Sequence, residues 1–200
     1  MKVIHFFIAV LLGTFLFLSC NGSSKQDSTS EIANQTLHTI LNRKSVREYM
    51  DREISPEIMT DLLKAGMAAP SSRDRRPWHF IVLSDKAVMN DLSSKLKNAS
   101  VLKNANKAII ICGDVLVSDN CWELDCSAVT QNILLAAESM GIGAVWTAVY
   151  PYADREVVVN EVFQLPENIR ALAIVPLGYP SGIQTPKDKF DKTRIHHNKW

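Results

Sequence analysis

Four short apolar runs, at 79–83, 108–112, 144–149 and 171–177, are parted by helical segments, but they do not alternate regularly enough for a doubly wound parallel sheet. The expected fold is therefore α+β, one domain built on a sheet with helices packed against it. The first two runs carry little polar alternation and are read as interior strands. Ser55-Pro56-Glu57 starts a helix, with a hydroxyl cap, proline at the first helical position and an early acid. That helix is expected to run to about Gly66 or Ala69, ahead of Pro70. The longest helix falls at about 123–140 and ends at Gly141, with others at 31–42, after Ser84 or Asp85, and at 154–163.

The beginning of the chain stands apart from this pattern. Lys2 is followed by an apolar stretch, 4–18, shorter than the ~20 residues a spanning helix needs. It reads as a signal peptide over 1–19. Phe17-Leu18-Ser19-Cys20 resembles the lipobox of bacterial lipoproteins. That resemblance implies lipid on Cys20, membrane attachment through it, and a place in the bacterial cell envelope facing the periplasm or the exterior. Residues 20–30 are polar and rich in Gly and Ser and are expected to act as a flexible tether, leaving 31–200 as the folded domain.

A net charge of +1 provides no basic face for phosphate backbones, so no nucleic-acid partner is expected. Cys112, Cys121 and Cys126 are an odd number at spacings unlike zinc sites; free thiols are expected ahead of a Cys121–Cys126 bridge, and no metal site. His196 and His197 read as part of a polar tail.

Two segments carry chemistry. Arg43-Lys44-Ser45-Val46-Arg47 follows a helix and can offer a bidentate fork, further cations and a hydroxyl to a phosphate. Such a cluster can equally complete a helix dipole. Pro70-Ser71-Ser72-Arg73-Asp74-Arg75-Arg76-Pro77-Trp78 is more specific, because a plain connecting loop has no use for so many hydroxyls and charges between two prolines. Together, in this order and separation, the two segments resemble the signature of the nitroreductase family of FMN-dependent oxidoreductases. The likeness continues through Asp125, Gln131-Asn132 and Gly141-Ile142-Gly143, then Leu177-Gly178-Tyr179-Pro180 and Pro186-Lys187-Asp188-Lys189.

The resemblance implies a nitroreductase-like fold with a central, mostly antiparallel sheet flanked by helices, in a homodimer whose swapped C-terminal arms help build FMN sites at the interface. Arg43, Ser45, Lys187 and Lys189 would hold the phosphate, with Lys44 in the same cofactor-binding set. Arg47 would sit by the N1/O2 edge, where a cation favours the reduced flavin. Pro70, Ser71 and Ser72 would line the ring, Asp74 would face its polar edge, and Val149, Tyr150, Pro151 and Tyr152 would also touch it. The chemistry would lie at flavin N5 with no catalytic side chain. Electrons would pass from NAD(P)H, or from an envelope donor if export separates the protein from that pool, to a nitroaromatic or quinone. The family's Asn and Gln are here Asp74 and Arg76. These departures leave a second reading, a non-catalytic flavin- or ligand-binding surface lipoprotein.

Overall fold

The computed structural model describes residues 25–200, with side chains from Asn34 onward. The expected signal peptide and Cys20 lie outside the described residues. The order is α1 (Lys25–Asn42), α2 (Pro56–Met67), β1 (Trp78–Leu83), α3 (Lys86–Lys95), β2 (Lys107–Asp114), α4 (Trp122–Ser139), β3 (Gly143–Ala144), β4 (Thr147–Ala148), α5 (Ala153–Phe163) and β5 (Ile169–Gly178). Every strand pairing is antiparallel, and the fold is α+β as expected.

β5 is the spine of the sheet. It pairs with β2 along one edge and with β3 and β4 along the other, while β1 lies outside β2. Its residues from Ala171 to Gly178 are all buried, as a strand covered on both faces requires. The run at 144–149 was expected as one strand but divides at Val145-Trp146, because β3 faces Leu177 and Gly178 while β4 faces Ala173 and Ile174. Pro176 lies in the gap and has no N–H to donate. Its carbonyl accepts instead from the Tyr49 hydroxyl at 3.2 Å.

β1 also departs from expectation. It is an edge strand, with His79 and Val82 exposed, because only its β2 side is paired. Its apolar content serves both layers, with Trp78 and Phe80 turned to one face and Ile81 and the buried Leu83 to the other.

Two apolar layers sandwich the sheet. α2 and α4 cover one face, with Met59, Leu62, Val129 and Ile133 against Ile109, Ile111, Ala173 and Val175. α3 and α5 cover the other through Met89, Leu92 and Val159, packed on Ile110 and Ile174. Each such buried side chain contributes about 1.5–3 kcal/mol. Ser55 caps α2 as expected, and Asp85 caps α3 through the Ala87 N–H at 2.7 Å. α4 is capped by Met140, and Gly141 follows with φ +69°, the left-handed position that glycine tolerates. α1 begins at Lys25 rather than 31, so 25–30, expected as tether, are helical. None of these six is Gly or Pro, so a helix nucleated further on can extend back through them.

Candidate functional site

The segment after α1 is strapped to the sheet edge. The Val46 N–H donates to Ala144 O at 3.0 Å, Met50 N–H to Tyr179 O at 2.8 Å, and Ser181 N–H to Glu48 O at 2.9 Å. Val46 and Tyr49 are buried, and Tyr49 lies flat on Gly178, where a β-carbon would come within 2.6 Å of its ring. With Val46 turned inward, its neighbours Ser45 and Arg47 are turned out to solvent. The same straps hold the start of the C-terminal arm beside this segment. Arg43, Lys44, Ser45 and Arg47 thus meet Thr185, Lys187 and Lys189 around a 240 Å³ cavity. A larger, adjoining cavity of 750 Å³ adds Ile40, Leu41, Gln131, Pro186, Asp188 and Phe190 to Arg43, Lys187 and Lys189.

Lys44 departs from its expected role. Its Nζ lies 2.7 Å from Glu138 Oε1 and is half-buried there, so its charge is spent inside the fold. Among the described residues, Arg43, Arg47, Lys187 and Lys189 form no ion pair. Asp188, the carboxylate nearest in sequence, accepts from the Phe190 N–H at 3.0 Å. Four cations around one hollow repel one another until an anion joins them, and with the Ser45 and Thr185 hydroxyls they match the donor needs of a phosphate dianion. The donor set fits the FMN phosphate. Thr185 escaped notice in the sequence, where only its nearness to the motif residue Pro186 could have flagged it, and Gln131, read as part of the family motif, was given no place in the site.

The Pro70–Asp74 loop is held rigidly elsewhere. The buried Asp125 carboxylate accepts from the Ser72 N–H at 2.8 Å through Oδ1 and from the Ser118 hydroxyl at 3.1 Å through Oδ2. Ser71 Oγ accepts from the Arg76 N–H at 3.0 Å, and Asn132 Nδ2 donates to Ala65 O at 3.0 Å, fixing the end of α2 that feeds the loop. Arg73, Asp74 and Arg76 have φ of 53°, 55° and 51°, left-handed values that non-glycine residues rarely adopt. Such strain persists where surrounding bonds over-determine the backbone, and it clusters at functional loops. The Asp74 carboxylate pairs with Arg76, 2.7 Å from its Nε, and this partner lowers its pKa below the ordinary aspartate value.

Val149 is fully buried in the α3/α5 layer, so its side chain reaches no ligand. Tyr150 stands edge-on to Trp122 at 4.9 Å, and the Arg170 guanidinium lies 5.0 Å from its ring. The Glu123 carboxylate beside its hydroxyl raises the Tyr150 pKa. The Tyr150-Pro151 peptide is cis. Tyr152 is exposed beneath the Arg155 guanidinium, 3.7 Å from its ring centroid.

The expected residues therefore fall into separate groups. Among the described residues, neither cavity at the basic cradle is lined by a residue of the Pro70–Asp74 loop. Cys112, Cys121 and Cys126 are free thiols, and His196 stacks on Trp200 in the exposed tail.

Comparison with known proteins extends these findings. The model of the Nitroreductase family matches residues 40–115 and 93–179. A crystal structure from Parabacteroides distasonis, assigned as an NADH dehydrogenase/NAD(P)H nitroreductase, is 55% identical with TM-score 0.82, covering 84% of this chain and 99% of that one. A protein of Methanothermobacter thermautotrophicus with the same assignment is 42% identical over 82% of this chain and 87% of its own. An FMN-dependent nitroreductase from Clostridium difficile is 29% identical with TM-score 0.78, covering 82% and 99%. The spine strand, the strapped basic segment and the clamped Pro-Ser-Ser loop are the frame on which these matches fall, and the chain belongs to the Nitroreductase family.

Proposed function

We propose that this protein is an FMN-dependent oxidoreductase that takes electrons from NAD(P)H, or from an envelope reductant where export parts it from that pool, and passes them to an electron-poor acceptor such as a nitroaromatic or a quinone. The observation that carries this reading is the cradle of four unpaired cations, Arg43, Arg47, Lys187 and Lys189, with Ser45 and Thr185. Bound FMN supplies a carrier that accepts electrons from one partner and returns them to the next. Arg43, Ser45, Lys187 and Lys189 would hold its phosphate. Arg47 would offset negative charge on the reduced ring. Pro70, Ser71, Ser72 and Asp74 would line the ring together with Tyr150, Pro151 and Tyr152.

Since neither cradle cavity takes a described residue of the loop, each site is completed by a second copy, in a homodimer with exchanged C-terminal arms. Exposed apolar side chains on α1 and the arm, Leu37, Ile40, Leu41, Ile183 and Phe190, support that assembly. Attachment to the cell envelope through lipid on Cys20 is part of the same reading. Loss of the protein from the membrane fraction on Cys20→Ser, with its abundance retained, is the result that reading requires.

The test of function is the visible spectrum of the purified protein after FMN loading and desalting, followed by anaerobic NADH, NADPH and then dithionite. Retained absorbance that bleaches with a pyridine nucleotide is expected. The Asp74–Arg76 pair, which replaces two neutral side chains of the family pattern, favours one second reading, a flavin-binding protein without turnover. It requires absorbance that bleaches with dithionite alone, a result that an envelope donor would share, and it requires in addition that the dithionite-reduced flavin pass no electrons to a quinone or nitroaromatic. A colourless protein refutes both.

A further inference from the structure

Beside the Pro70–Asp74 loop lies a third, smaller cavity of 150 Å³, lined by Ser72, Arg73 and Arg75 and by residues 118–121 ahead of α4. It is separate from the phosphate cradle and shares none of its residues. Arg75 is fixed there, its Nη1 donating to Val117 O at 3.3 Å and lying 3.8 Å from Asp119 Oδ1. Arg73 differs from it. Its backbone is held left-handed by the bonds that clamp Ser71 and Ser72, and among the described residues its guanidinium has neither a hydrogen bond nor an ion pair.

One anchored fork, one free fork, the Ser72 hydroxyl and the Asn120 amide face a single carboxylate, so donors outnumber acceptors. Planar forks of this kind suit the several oxygens of a phosphate better than a neutral group or an isolated carboxylate. Ser72 also belongs to the loop expected to line the flavin. An anion in the cavity would therefore lie next to the place where a hydride donor must set its ring.

We propose that this cavity is a subsite for a phosphate group of the pyridine-nucleotide donor, with Arg73 as its specificity-determining residue. The proposal rests on the oxidoreductase reading above and names the part of the donor that the chain recognises. The same phosphate chemistry has two sources in such donors, the 2′-phosphate of the NADP form and the pyrophosphate shared with the NAD form.

The experiment is calorimetric titration of the purified full chain with NADP+ and NAD+, for wild type, Arg73→Ala and Arg73→Lys. Loss of a charged hydrogen-bonding group should weaken binding about ten-fold in Arg73→Ala, with Arg73→Lys in between. Weakening confined to NADP+ assigns the cavity to the 2′-phosphate; equal weakening for both assigns it to the pyrophosphate. A wild type that binds neither nucleotide, or an Arg73→Ala variant that matches wild type, overturns the proposal. FMN absorbance after desalting is read separately. Its absence would refute the flavoenzyme reading while the titration still reports on Arg73.

Discussion

Replacing Asp125 with alanine removes one buried carboxylate that serves two donors, the Ser72 N–H at 2.8 Å and the Ser118 hydroxyl at 3.1 Å. Hydrogen bonds to a charged group contribute about 1.5–3 kcal/mol each, and a donor left buried without an acceptor costs a comparable amount. Ser118 is 1% exposed and cannot turn to water, whereas Ser72 is half-buried and regains part of its loss. The net cost for Asp125→Ala is therefore about 2–3 kcal/mol, or a fall in Tm of roughly 5–10 °C for a domain of this size. Asp125→Asn keeps an oxygen for Ser72 and lets the Ser118 hydroxyl turn to accept, so it should cost only about 1 kcal/mol. Urea unfolding with constant m-value measures the stability, and fluorescence titration of FMN measures the loop, whose grip on the ring should loosen in step. If Asp125→Ala shifts the midpoint by less than about 0.5 kcal/mol, or Asp125→Asn is equally damaging, the clamp is not what holds the loop.

Other consequences can be checked with single variants. Gly113→Ala would put a β-carbon 2.5 Å from Trp122 Cε3 under the start of α4, and this overpacking should destabilise the fold by about 1–3 kcal/mol in thermal melts. Lys187→Ala, on the exposed arm, should leave Tm unchanged while weakening FMN about ten-fold, and raised salt should mimic it. Burial pushes the Cys112 and Cys126 thiols up to about 12, so at pH 8 both should react slowly with a thiol reagent, well behind the less buried Cys121. The sign for stability follows from the same shift. The unfolded thiols lose protons near their ordinary pKa while the folded ones keep them, so their contribution is intact below that value and lost as pH rises toward 12. Urea midpoints measured from pH 8 upward should fall, and a flat profile would contradict the burial.

Much of the fold was legible because apolar runs and caps act locally. Ser55, Pro56 and Asp85 mark helix starts by chemistry that needs no tertiary partner, and the structure uses them as read. Tertiary pairing escaped that logic. Whether the run at 79–83 is central or marginal depends on what lies beside it, and the division of 144–149 depends on Pro176, distant in sequence. The same distinction governs the candidate site. The cations of the cradle were visible as a motif, whereas the diversion of Lys44 to Glu138 crosses 94 positions of chain. The clamp by Asp125 was present in the motif, but its role emerges only where α4 meets the loop.

The cradle joins Arg43 to Lys189, so it cannot exist on a partly made chain. While the ribosome is still producing the spine strand, the basic segment has no second half to close against, and the cofactor has nowhere to stay. In the proposed homodimer, flavin capture thus waits for the complete chain and for its second copy. A chain threaded unfolded across a membrane would perform it on the far side, drawing on whatever FMN that compartment supplies.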